Sequence, residues 1–189
     1  MAKKYNIIYI DPPWSYKDKA HAGKRGVDYK YSTMSDSELL NLPIKDIAAD
    51  NSIMFMWATF PRLELALDAM KAWGFIYKTI GFVWCKKNKK SDSWFWGMGN
   101  WTRANSEICL IGIKGKPKRN SAKIHQLITS RIGKHSAKPD EVRNKIVELC
   151  GDLPRIEIFA RGNFPGWAAI GYDIDGLDIN QSIINLVGR

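Results

Sequence analysis

Cysteine and histidine are scarce in this sequence, three of each among 189 residues. Cys85, Cys109 and Cys150 are an odd number in apolar surroundings, and His21, His125 and His135 stand far apart. This excludes a disulfide framework and offers no ligand set at metal-type spacing, so the cysteines read as small buried hydrophobes in a reducing compartment and no metal is expected. Long apolar runs are missing as well. Ile7-Ile8-Tyr9-Ile10 stops at Asp11, too short for a secretory leader, and nothing approaches the roughly 20 apolar residues of a membrane span. The expectation is a cytoplasmic protein with no membrane partner. Repeats and low-complexity linkers are also absent, so residues 1–189 read as one domain. Acids are the last shortage: 19 Asp and Glu against 29 Lys and Arg leave a net charge of +10. A surplus of this size favours a polyanionic partner through counterion release, nucleic acid first among them.

What the chain does contain is a regular alternation. Tyr5–Ile10, Ser52–Trp57, Thr79–Cys85, Glu107–Ile113 and Arg155–Ala160 are rich in β-branched and aromatic residues and bounded by turn signals, and their near-continuous apolarity implies strands covered on both faces. Between them lie helical patterns. Ser35 and Glu38 form a capping box ahead of Leu39 and Leu40. Leu63, Leu67, Met70 and Trp73 line one face of a helix that Gly74 ends, and a third helix runs from Pro139 through Val142, Ile146 and Leu149 to Gly151. This order implies an α/β fold with a mainly parallel sheet and helices on both faces, whose ligands sit beyond the carboxyl ends of the strands. Residues 174–189, with Leu177, Ile179, Ile183, Ile184 and Leu186, read as an added packing segment or a dimer contact.

Two long polar segments fall outside this alternation, residues 15–34 and 86–104. Tyr16, Lys17 and Tyr31 belong to the first, and Lys86, Trp101 and Arg103 to the second. Cations for phosphates interleaved with aromatic faces for bases suit single-stranded or flipped nucleotides; the plainer reading is a solvated loop with its tryptophans tucked into the core. Gly97-Met98-Gly99 is too short and too far from a strand–helix junction to be a phosphate-binding fingerprint.

The most specific signal is Asp11-Pro12-Pro13-Trp14, placed directly after the first strand and so at the sheet's ligand-binding end. The Asp11 carboxylate and the Pro12 carbonyl are adjacent hydrogen-bond acceptors, the prolines fix the backbone between them, and Trp14 offers a ring on which a flipped base can stack. Two acceptors aimed at both protons of an exocyclic amine would localise its lone pair for attack on an electrophile and stabilise the charge developing on nitrogen.

In this respect the sequence resembles the adenine-amine methyltransferases typified by the catalytic subunit of the eukaryotic messenger-RNA adenosine methyltransferase, and more closely their small bacterial and phage members. The resemblance covers residues 5 to about 173. Its ordered matches are Asp11 to Tyr16, Tyr31 to Met34, Ala72 to Phe75, Phe82 to Lys86, Trp101 to Arg103, Glu107, His135 to Glu141, Glu157 to Arg161, and Pro165 to Trp167. It implies a Rossmann-like class I methyltransferase in permuted order, with the acceptor motif before the cofactor-binding strand.

The same resemblance implies S-adenosyl-L-methionine as cofactor and assigns catalysis to Asp11, Pro12, Pro13 and Trp14. Ile10, Asp11, Lys138, Glu157, Phe159, Arg161, Asn163, Tyr172 and Asp173 would meet the cofactor, with Lys138 at its carboxylate and Glu157 at its ribose hydroxyls. Tyr16, Lys17, Tyr31, Lys86, Trp101 and Arg103 would meet the nucleic acid. Where many relatives have Gly-Asn and then an amide or acid, this chain has Gly171-Tyr172-Asp173, so Tyr172 is given the cofactor adenine to stack on. The expected substrate is adenine in DNA, in the cytoplasm of a bacterial or phage-infected cell. RNA, a non-catalytic nucleic-acid-binding subunit, and a monomer, homodimer or subunit of a larger assembly remain open on the sequence alone.

Overall fold

The computed structural model describes residues 3–15, 34–99, 101–133 and 137–188. Among these residues seven strands form one sheet: β1 Tyr5–Ile10, β2 Ala48–Ala58, β3 Ile76–Lys87, β4 Ser106–Lys114, β5 Leu127–Arg131, β6 Arg155–Ile158 and β7 Ala168–Ile170. Their spatial order is β5-β3-β4-β2-β1-β6-β7. β1 pairs in parallel with β2 and β6, β6 with β7, and β3 with β5, while β4 alone runs against both its neighbours.

Alternation along the strands divides the core into two layers. Ile8, Ile10, Met54, Met56, Ile156 and Ile158 point to one side, and Ile7, Tyr9, Phe55, Trp57, Phe82 and Cys109 to the other. On the first side pack α1 (Asp36–Leu40), α2 (Leu63–Ala72) and α5 (Ile179–Val187), through Leu39, Ala66, Ala69, Met70, Ile179 and Ile183. α3 (Glu141–Cys150) covers the second through Val142, Ile146 and Cys150, and the short α4 (Tyr172–Asp175) follows β7. Residues 174–188 thus contribute buried side chains to the core. No helix among the described residues is long and apolar enough to cross a membrane.

Local chemistry explains the boundaries. Ser35 and Glu38 make both bonds of the capping box at α1. Gly74 adopts φ +84° just past α2, where a side chain would be strained. α2 also lies very close to the sheet at Gly112, whose missing Cβ would come within 2.4 Å of the Met70 sulfur.

The sheet contains two strands the sequence pattern did not single out, β5 and β7, and β2 and β3 run longer than their apolar cores. From β1 the chain crosses to β2 on one side, while β6 enters on the other. The crevice of such a sheet opens where connections diverge, at the carboxyl ends of β1 and β6. Because β4 is antiparallel, its first residues, around Glu107, arrive at the same end.

Candidate active site

A cleft of about 1210 Å³ opens at this end of the sheet. Asp11 to Trp14 after β1, Thr59 after β2, Glu107 on β4, Phe159 to Arg161 after β6, and Tyr172 and Asp173 after β7 all line it, together with Lys138 ahead of α3. The polar side of α1, at Ser37, Glu38 and Asn41, and the start of α5, from Leu177 to Asn180, close it on other flanks.

Asp11 anchors a run of alternating charges. Its Oδ2 accepts from the Lys138 ammonium at 2.7 Å, and Lys138 also reaches Glu107 Oε2 at 3.2 Å. Glu107 Oε1 accepts in turn from Lys86. Lys138 lies over the Trp57 ring at 5.6 Å and Lys86 over the Trp84 ring at 5.0 Å, so aromatic faces complete the cations' surroundings. Desolvation raises the Asp11 carboxyl above its ordinary value, with Lys138 opposing that rise. For Glu107 burial also acts upward, but Lys138 and Lys86 outweigh it and hold the group below its ordinary value. Burial alone would lower Lys138; Asp11 and Glu107 reverse that and raise it.

The motif's other members, Pro12, Pro13 and Trp14, line the cleft beside Asp11. Pro12 is buried, and its carbonyl already accepts from the Trp14 backbone N–H at 2.9 Å, leaving one lone pair for a substrate. Trp14 is only 5% exposed, and its indole N–H donates to the Trp57 carbonyl at 3.1 Å. It is a wall of the cleft rather than an open stacking platform, because its ring belongs to the core beside Ile10 and Leu39. Trp57 is held from behind by its own N–H bond to the Tyr9 hydroxyl at 2.6 Å.

The chain turns sharply after β6. Phe159 has φ +61°, a left-handed conformation uncommon for a residue with a side chain and costing about 1–3 kcal/mol. That turn carries Phe159, Ala160 and Arg161 along the cleft wall. Gly171 answers it from just past β7: a Cβ there would stand 2.7 Å from the Ala160 carbonyl oxygen.

Glu157 does not reach the cleft. It faces the α3 side of the sheet, 8% exposed, and its two oxygens accept from Arg143 Nε and Nη2, each at 2.7 Å. The strand's alternation is the reason: Ile156 and Ile158 face one layer, so Glu157 between them faces the other. In this structure both oxygens expected to meet ribose hydroxyls are taken by Arg143 in a buried bidentate ion pair. Lys138, expected at a cofactor carboxylate, has its ammonium between Asp11 and Glu107. Ile10 is fully buried, and Asn163 is exposed outside the cleft lining.

Tyr16, Lys17 and Tyr31 lie outside the described residues. Of the second basic segment, Lys86 turns inward to Glu107, whereas Trp101 is 99% exposed and Arg103 is exposed, with Trp94 and Trp96 also open to solvent. These tryptophans are therefore not tucked into the core. Lys87 approaches the Trp94 ring and Asp92, and Arg131 also pairs with Asp92 at 3.0 Å.

Sequence reasoning assigned no role to Arg143, Trp57, the polar side of α1 or the start of α5. Only Glu107 carried a signal, through the resemblance; Arg143 sits in a helix pattern where a cation reads as solvent-facing.

A parallel-rich sheet with Asp11 to Trp14 at its switch point, facing the strand-end wall after β6, has the Rossmann-like α/β methyltransferase fold. The MT-A70 family profile matches residues 5–173, and the chain belongs to this family of adenine-N6 methyltransferases. It is 35% identical over 190 residues to the Type II methyltransferase M.MunI of a Mycoplasma species, spanning 91% of this chain and 78% of that one. It is 30% identical over 178 residues to the N(6)-adenosine-methyltransferase MT-A70-like protein of Drosophila melanogaster, spanning 92% of this chain and 28% of that protein. The human N(6)-adenosine-methyltransferase catalytic subunit METTL3 is 28% identical over 182 residues, 93% of this chain and 29% of its own.

Proposed function

We propose that this chain transfers the methyl group of S-adenosyl-L-methionine to the exocyclic N6 amine of adenine in DNA. The observation that carries the reading is Asp11, set at the carboxyl end of β1 in a cleft at the sheet's switch point, with Oδ2 held by Lys138 and Oδ1 engaged by no described residue. A fixed, partly desolvated carboxylate oriented in this way is an acceptor for an amine proton, and the remaining lone pair of the Pro12 carbonyl is the second.

The cleft fits the cofactor by chemistry. Asp173 and Asp178 offer carboxylates for an ammonium, Arg161 a cation for a carboxylate, and Phe159, Leu177 and Ile179 apolar surface for the nucleoside. S-adenosylmethionine supplies the electrophilic methyl group. The residues of the chain do the rest: Asp11 and Pro12 polarise the amine, Pro13 and Trp14 shape the pocket against the base, and the buried wall behind Trp14 excludes water.

The aromatic and basic arm within 88–105, described at 88–99 and 101–105, supports nucleic acid as the partner, since Trp94, Trp96 and Trp101 are exposed as stacking faces and Lys89, Lys90 and Arg103 are exposed as cations. The choice of DNA rests on proportion: the chain covers 78% of a Type II methyltransferase but only 28% and 29% of the two N(6)-adenosine-methyltransferases. RNA is the second reading, favoured by the names of those relatives. Label transfer from S-adenosylmethionine to matched single- and double-stranded DNA and RNA oligonucleotides, with nucleoside analysis, decides between them. N6-methyladenine in DNA alone is expected; methylation of RNA alone refutes the choice of DNA.

A further inference from the structure

Lys86 stands where the sequence offers a phosphate-binding cation, yet its ammonium is turned onto Glu107, a residue of the cleft lining. The four charged side chains from Asp11 through Lys138 and Glu107 to Lys86 alternate in sign and are 24%, 10%, 18% and 17% exposed. Charges this secluded keep their places only when each is compensated. Lys138 is shared by two carboxylates, with the shorter approach, 2.7 Å, going to Asp11 and the longer, 3.2 Å, to Glu107. That division depends on the second oxygen of Glu107 having a partner of its own. A carboxylate facing a single ammonium would draw it closer with both oxygens.

We propose that Lys86 is a positioning residue for Asp11: by occupying one oxygen of Glu107 it leaves Lys138 to hold the Asp11 carboxylate, and it links that arrangement to the arm at 88–105. The proposal rests on Asp11 being the acceptor for the substrate amine. The link to the arm is covalent and hydrogen-bonded. Lys86 donates its backbone N–H to the Asn105 carbonyl, and its own carbonyl accepts from Phe95 N–H and from the Asn105 side-chain amide, each at 3.0 Å. Both strands of the arm's stem therefore meet at Lys86, and displacement of the stem is felt at Glu107. The charged groups acting on Asp11 are Lys138 and Arg161, which favour its ionised form, and Glu107, which opposes it; the Cys109 thiol lies near enough to feel Asp11 in return. Loss of Lys86 leaves Glu107 undercompensated, pulls Lys138 towards it, and makes Asp11 harder to ionise.

The test follows the Asp11 carboxyl directly, by ¹³C NMR titration of carboxyl-labelled protein, with its resonance assigned through Asp11→Asn. Wild type, Lys86→Met, Lys86→Arg, Glu107→Gln and the Lys86→Met/Glu107→Gln double variant are compared, each also assayed for label transfer to the oligonucleotide. In Lys86→Met the Asp11 titration moves to higher pH, kcat at neutral pH falls about three- to tenfold, and KM for the oligonucleotide stays within about twofold. Lys86→Arg, which keeps the charge, restores both readouts. With Glu107 already replaced, Lys86→Met produces no further shift, because the effect passes through Glu107. An unmoved Asp11 titration together with weaker, less salt-dependent nucleic-acid binding would overturn the proposal and return Lys86 to the role of a phosphate ligand. Transfer persisting in Asp11→Ala, which retains no side-chain acceptor, would overturn the reading of Asp11 itself, and since it is seen in a different variant the two failures are distinguishable.

Discussion

At the scale of single residues, ionisation is what the site controls. Asp11 is raised by desolvation and drawn back by Lys138, so replacing Lys138 with Met raises it further. A smaller fraction is then carboxylate at any given pH, and the acid limb of the kcat/KM profile moves to higher pH; an unmoved limb would detach Lys138 from Asp11. The same network shapes stability. Glu107 titrates below its ordinary 4.5 in the folded chain, so its stabilisation is present above that value and is lost as pH falls. Lys138 titrates above its ordinary 10.5, so its contribution is present below that value and is lost as pH rises. Urea unfolding followed across pH is expected to weaken on both flanks, and Lys138→Met to remove the alkaline one.

Among elements, the join between α3 and β6 is the most heavily committed. Arg143 holds both oxygens of Glu157, touches Asp140 at 2.9 Å, and lies 3.5 Å from the centre of the Phe164 ring. Breaking a buried pair from one side strands the other charge, so Arg143→Met is expected to cost about 3–5 kcal/mol in denaturant unfolding. A loss under about 1 kcal/mol would mean that water enters and compensates Glu157. Legibility divides along the same lines. β1 is found over Tyr5–Ile10, as its apolar run indicates, and the Ser35–Glu38 box and the Gly74 and Gly151 terminators are local chemistry that needs no tertiary partner. β7 escapes pattern reading because Ala168–Ile170 is too short for periodicity, and β5 because Leu127 and Thr129 are exposed at a sheet edge. The Asp11 motif is legible by position, whereas the partner of Glu157 is not. Its Arg143 comes from a helix 14 residues earlier, and only the packing of α3 on β6 brings them together.

For the whole molecule, charge and shape divide the work. The cleft carries an internally compensated set of charges, and the arm at 88–105 carries cations that reach solvent. Replacing Lys89, Lys90 and Arg103 with neutral residues is expected to weaken nucleic-acid binding and to reduce its logarithmic salt slope by up to about 0.9 for each phosphate no longer neutralised, with cofactor affinity unchanged. A constant slope would turn the arm away from the substrate. The central claim, that Asp11 is the acceptor for the adenine amine, has a more direct test. Methyl transfer to adenine by wild type and Asp11→Ala is measured beside S-adenosylmethionine affinity by calorimetry. The account predicts that the variant loses at least about a thousandfold in rate while its cofactor affinity stays within about tenfold. A variant that still transfers at near the wild-type rate, or that loses cofactor binding in step with rate, would contradict it.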